Sequence, residues 1–204
     1  MAPDRRREQL LDTALEIALD RGFHAVTIDG VARAAGVTRP VVYGLFDDRG
    51  ALLAALVERS EQRALAQLAP ALPGVPGPDD EVAPDALLVA GVRAYLTAVA
   101  ADPATWRVVL LPPEGAPAEL TDRMNAQQRV VLGALRELVE WGLARLGQDH
   151  LDADLFARGV ITLAEGAARL HLQAPDRYPV ERFAGFTEQL LSGLLPPAAA
   201  PEER

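Results

Sequence analysis

The chain has 204 residues, 50% of them hydrophobic and 24% charged, with a formal net charge of -9 and no cysteine. That composition excludes a disordered chain, a disulfide framework, thiolate catalysis and a general basic coat for nucleic acid. It contains no lysine, so any charged contact to phosphate must come from arginine.

The N-terminal stretch MAPDRRREQLLDTALEIALDRG has its apolar runs broken by Asp12 and Glu16, so it does not read as a secretory signal. Residues 5–21 read instead as a helix, with Leu11, Leu15, Ala18 and Leu19 on one side and Glu8, Asp12, Glu16 and Asp20 on another, closed by Gly22. Thr27 is an N-cap type, and Ile28, Val31, Ala32 and Ala35 follow at helical spacing up to Gly36. A third helix starts at Thr38 with Pro40 in its first turn and ends near Phe46. A fourth begins near Asp48 and carries Leu52, Leu53, Leu56 and Leu65. Residues 70–84 hold five prolines and two glycines and read as a loop. Helical patterns then resume over about 85–101, 103–110, 117–146, 152–173 and 179–194, with prolines at the breaks, and 196–204 reads as a flexible tail. The break LLPPEG at 110–115 has no assignment beyond a rigid interruption.

No stretch alternates with period two, so the expected class is all-α with about nine helices. The expected organisation is a three-helix head over 1–49, followed over 50–204 by a larger helical body. No run of roughly eighteen apolar residues occurs, so no membrane partner is expected and a cytoplasmic protein is the default expectation.

Two helices at 27–35 and 38–46, joined by a tight turn at Gly36–Val37, make a helix-turn-helix. The second helix of that motif enters the major groove with its first residues, which here are Thr38, Arg39 and Pro40. Arg39 can offer a guanidinium fork to guanine, and Thr27, Thr38, Tyr43 and Arg49 stand where phosphate oxygens pass. Other roles stay open for several of these. Tyr43 suits a half-buried core position, Thr27 is an N-cap first, and Arg5, Arg6 and Arg7 are either a solvated terminus or a DNA-contacting arm. Residues 1–49 hold seven arginines against eight acids, so the head is almost neutral, although the acids of the first helix form a stripe that can face away from a duplex.

The segment TIDGVARAAGVTRPVVYGLFDDRGALLAAL resembles the DNA-binding segment of the tetracycline-repressor (TetR) family of bacterial regulators. The shared pattern is Thr27, Val31–Ala32, Ala35–Gly36–Val37, Tyr43 with Phe46, Arg49 and Leu52–Leu53, over about residues 8 to 56. Two positions depart from it. Leu45 stands where many members carry histidine, and Arg49 replaces the usual lysine while keeping the charge. The resemblance implies a homodimer on palindromic double-stranded operator DNA, a small-molecule effector in the body, and a repressor released by that effector. It also implies pairing through the last two long helices, near 152–173 and 179–194. Their apolar arcs are wider than one core requires: Phe156, Val160, Leu163, Ala167 and Leu170 on the first, and Phe183, Phe186, Leu190, Leu191 and Leu194 on the second. Candidate pocket residues are Tyr95, Trp106, Met124, Gln128, Trp141, Phe156 and His171, for each of which ordinary core packing is the competing reading.

An enzyme is not expected. His24, His150 and His171 are far apart in the chain, no HExxH, GxSxG or phosphate-cradling loop occurs, and no metal or other cofactor is expected. The alternative is a helical ligand-binding or interaction protein without DNA recognition, which Leu45 and the neutral head keep open.

Overall fold

The computed structural model describes residues 2–69, 74–77, 80–110 and 118–194. Among them the chain is all-helical: α1 (Pro3–Arg21), α2 (Ile28–Ala34), α3 (Arg39–Tyr43), α4 (Arg49–Leu68), α5 (Pro84–Ala101), α6 (Pro103–Leu110), α7 (Ala118–Arg145), α8 (Ala153–Gln173) and α9 (Val180–Leu194), with a 3-10 turn at Phe23–Ala25. The expected loop over 70–84 is described at 74–77 and 80–84 only. The LLPPEG break beyond Leu110 and the tail 196–204 lie outside the described residues.

Local chemistry sets most helix ends. Prolines open α1, α5 and α6, where their missing N–H costs nothing. The Thr27 hydroxyl accepts from Gly30 N at 3.0 Å to cap α2. Asp48 accepts from Ala51 N at 2.7 Å to cap α4, and Asp152 accepts from Asp154 N and Leu155 N to cap α8. Thr38 precedes α3 in extended backbone without a side-chain cap bond. The α3 helix is shorter than the sequence suggests. It ends at Tyr43, and the chain turns back through Leu45 and Phe46, whose N–H groups both bond Val42 O.

Gly36 sits at φ 66° in the turn between α2 and α3, with no atom within 4 Å of where a Cβ would stand. Only backbone strain opposes a side chain there. Gly36→Ala is therefore expected to lower the unfolding free energy by about 1–2 kcal/mol, read from urea denaturation. A change near zero would show that the turn is not held in this conformation in solution.

The chain divides into two compact units, Met1–Ala66 with Asp102–Met124, and Gln67–Ala101 with Asn125–Arg204. The head read from the sequence, 1–49, lies inside the first unit, which continues along α4 and takes in α6. Leu10, Leu11, Val31, Val42, Leu52 and Leu56 are fully buried in its core, ringed by Ala14, Ile17, Phe46 and Leu53. The buried face of α1 is rotated from the one read in the sequence. Leu10, Ala14 and Ile17 point inward, while Leu19 is exposed, because α1 packs against α2 and the 3-10 turn on the other side of the leucine row. Along α4, Ala64 is buried where Leu65 was expected to be.

In the second unit α5 packs against α9 and α8. Arg93 on α5 donates three hydrogen bonds of 3.0–3.2 Å to the carboxylate of Glu181 on α9. Those bonds, and the charge behind them, raise the Arg93 pKa. By length and composition α5 is apolar enough to cross a membrane, a property the sequence reading did not register. Here it serves as the packing partner of two other helices.

Candidate nucleic-acid interface

A short α3 is held to the head by one side chain, Val42, which is fully buried. Everything else along it is outward. Thr38, Arg39, Pro40, Val41 and Tyr43 are all exposed and form one continuous surface at the start and outer side of the helix. Tyr43 is 54% exposed, so the core reading of this residue does not describe it. Leu45, at the departure from the family pattern, is half-buried and packs against the head core.

Arg39 is not isolated. Asp29, in the first turn of α2, accepts from its Nε and Nη2 through two separate carboxylate oxygens. Arg49 is also engaged. Its Nε donates to Val26 O at 2.7 Å and its Nη2 to Phe23 O at 2.9 Å, which pins the start of α4 to the 3-10 turn. The residue proposed from sequence as a phosphate partner thus holds α4 on the head, with Nη1 remaining for an outside acceptor. Arg5, Arg6 and Arg7 lie within α1, so they do not form an extended arm. Arg6 bonds Gln9 at 2.7 Å, and the Arg7 guanidinium stands 5.5 Å over the Phe46 ring.

The acids of α1 explain how a nearly neutral head can present a usable face. Arg59 of α4 donates to Asp12 at 2.7 Å and to Glu8 at 3.1 Å, and Arg63 stands 3.7 Å from Glu8. Two members of the acidic stripe are thereby turned to α4. Arg59 is 7% exposed, and its Nε and Nη2 have no hydrogen-bond partner among the described residues. Neither Asp29 nor Arg59 was singled out from the sequence. Each meets its partner across helices, and only the packing of α2 on α3 and α1 on α4 brings them together.

In the second unit, a small apolar cavity of about 40 Å³ lies between the start of α5, the end of α7 and the sides of α8 and α9. Leu87, Leu88, Leu138, Trp141, Phe156 and Leu191 line it, and Asp85 stands among them. Of the candidate pocket residues, Trp141 and Phe156 meet here. Tyr95 and His171 do not line it. Burial pushes the Tyr95 phenol well above its ordinary value, and Glu165 acts in the same direction against Arg169. His171 is buried with Nδ1 2.9 Å from Tyr178 O, and because a carbonyl only accepts, Nδ1 carries the proton. Trp106 belongs to the first unit, where it is buried. The side chains of Met124 and Gln128 lie outside the described residues. No group of three or more metal-ligating side chains occurs among the described residues.

Comparison with known proteins starts from this head. Residues 10–56 match the family model of bacterial regulatory proteins of the tetR family. The HTH-type transcriptional activator FasR of Mycolicibacterium smegmatis is 45% identical over 56 residues, a match that spans 28% of this chain and 26% of that protein. Over nearly the whole chain, solved structures share the fold. A TetR-like regulator from Rhodococcus sp. RHA1 superposes with a TM-score of 0.71 at 24% identity, covering 93% of this chain and 95% of that one. The fatty acid degradation regulator FadR of Bacillus halodurans gives 0.71 at 21%, covering 94% and 96%. FadR of Bacillus subtilis, solved in complex with stearoyl-CoA, gives 0.69 at 17%, covering 90% and 96%. These relatives are transcriptional regulators, not enzymes. Through residues 10–56, the chain is similar to the DNA-binding segment of bacterial regulatory proteins of the tetR family.

Proposed function

We propose that the protein is a ligand-responsive repressor that binds palindromic operator DNA as a homodimer, with residues 1–49 reading DNA and 50–204 taking the effector and the second copy. The observation that carries this reading is the outward surface of Thr38, Arg39, Pro40, Val41 and Tyr43 on a helix whose single inward anchor is Val42. Such a surface serves no folding purpose, and it stands at the start of the second helix of a helix-turn-helix, where base edges are met. Thr27 and Arg49 complete the set at the flanking backbone.

One five-residue helix contacts too little duplex for tight specific binding, so two heads are needed. The last two long helices support that role. On α8, Leu155, Gly159, Leu163, Gly166 and Leu170 recur at helical spacing, and the three leucines are exposed. Ala157, Ala167, Ala168 and His171 form a separate inward face. The wide apolar arc read from the sequence is thus two faces, with Ala167 inward and Leu163 outward. A Cβ at Gly159 or Gly166 would meet nothing within 4 Å. Glycine inside a helix costs about 1 kcal/mol relative to alanine, and nothing among the described residues requires it at these positions. Close approach of a second helix would. On α9, Phe186 is 56% exposed.

For the effector, the apolar cavity favours a ligand with a hydrocarbon body, and the stearoyl-CoA bound by the Bacillus subtilis neighbour is of that kind. A cavity of 40 Å³ is far below the ~300 Å³ at which ordinary ligand pockets begin, so binding must part α7 from α5 and α8. That displacement is the differential interaction an effector needs in order to shift the protein between states. A second reading, activation, is favoured by the activator FasR at the head. In it the same operator contact recruits where the first reading blocks.

The test is a gel shift on the promoters of the protein's own gene and its neighbours. A shift is expected, and Arg39→Ala or Tyr43→Ala should weaken it about tenfold or more while leaving helical content intact. A shift undiminished by both substitutions would remove α3 as the reader and favour the interaction-protein alternative.

A further inference from the structure

Asp29 is an acid placed where an acid weakens DNA binding. Its carboxylate stands on the same exposed side as Arg39, and any phosphate nearby is repelled by it. The ion pair it forms does not account for its presence through stability, since both side chains are about half exposed or more and such pairs contribute little to folding.

The atoms involved are more informative. A guanidinium has two forked edges, Nε with Nη2 along its side and Nη1 with Nη2 at its end. Asp29 takes the side edge, with Oδ1 on Nε and Oδ2 on Nη2. Nη1 and the second hydrogen of Nη2 remain, and Nη1 has no hydrogen-bond partner among the described residues. This end edge is a pair of parallel donors that fits the O6 and N7 acceptors of guanine in the major groove.

We propose that Asp29 is the specificity-determining positioning residue of the interface, clamping Arg39 so that it meets a guanine end-on. The proposal rests on the DNA-reading function above and names how one base in each half-site is chosen. Without the clamp, Arg39 swings freely and can settle on a neighbouring phosphate, a contact that carries no sequence information. The acid lowers affinity for all DNA and raises the difference between the right sequence and the wrong ones.

The test uses the full chain and a random duplex library. Sites selected by the wild type are resynthesised with each position substituted, and relative affinities are measured for wild type, Arg39→Ala, Asp29→Ala and Asp29→Asn. One guanine per half-site should be preferred by the wild type and not by Arg39→Ala. Asp29→Ala should reduce that preference about fivefold or more, and Asp29→Asn, which keeps one acceptor, should reduce it less. Other positions should be unaffected, and affinity for unselected duplex should be equal or higher, because a negative charge has left the surface. An unchanged preference profile in both variants would overturn the proposal. So would a uniform loss across all sequences accompanied by a lower unfolding midpoint, which is the signature of a merely structural role. A wild type that enriches no sequence would overturn the DNA-reading function itself, and this proposal with it.

Discussion

Leu163→Arg is expected to give a folded monomer that binds a duplex with two half-sites roughly 10²–10⁴-fold more weakly than the wild type. The size of the effect follows from bivalency. Once one head is bound, the second meets its half-site at the high effective concentration set by the dimer, and a monomer forfeits that gain. Leu163 is 60% exposed on the outward stripe of α8, so an arginine there reaches water in one chain without disturbing the core. In the proposed dimer the same arginine faces its own symmetry copy across a dry surface, where like charges without partners cannot be accommodated. Sedimentation velocity reads the oligomeric state, and a gel shift on one-site and two-site duplexes reads the loss. Binding to a single half-site should be little changed. A variant that still sediments as a dimer would remove this face from the interface, and a monomer with undiminished two-site affinity would show that binding does not depend on pairing.

The second large effect concerns Arg59, and its direction depends on which partner is removed. Glu8→Gln combined with Asp12→Asn should lower the unfolding free energy by about 3 kcal/mol, whereas Arg59→Met should change it by less than about 1 kcal/mol or raise it. The asymmetry comes from burial. The Arg59 side chain is 8% exposed, while those of Glu8 and Asp12 are 49% and 57% exposed. Neutralising the acids leaves a guanidinium charge buried with no counter-charge and with Nε and Nη2 already lacking hydrogen-bond partners. Removing the arginine leaves two carboxylates that turn to solvent, and methionine fills the space of the aliphatic stem. The loss on the acid side sits at the lower end of the range for stranded buried charges, because water already reaches the edge of this cluster. Chemical denaturation of the three proteins measures it. Equal losses for both substitutions would mean that Arg59 is stabilised by its stem packing and not by the pair.

The two expected results bear on the same machine. Arg59 and Arg49 tie α4 to α1 and to the 3-10 turn. In the proposed dimer the outward leucines of α8 hold the second copy, and the spacing between heads then depends on both connections.

Helix existence and most boundaries, though not the end of α3, were legible in the residues alone because local chemistry decides them. Thr27, Asp48 and Asp152 supply side-chain oxygens to orphan N–H groups, prolines open α1, α5 and α6, and Gly36 takes a backbone conformation that a side chain resists. Each of these acts within four residues of itself. The outward character of Arg39 was legible from the helix-turn-helix spacing, whereas Tyr43 stayed open between a phosphate contact and a core position, and its 54% exposure emerges only once Val42 is seen to be the inward anchor. Tertiary structure decided which side of each helix is buried and which distant residues meet. Leu19 and Ala167 changed sides relative to the sequence reading because a helix made largely of leucine and alanine has several faces apolar enough to bury, and its neighbours select one. The pairs Asp29–Arg39 and Arg59–Asp12 join residues on different helices, so no periodicity within a single element can register them. Only the packing of one helix on another brings such charges within hydrogen-bonding distance.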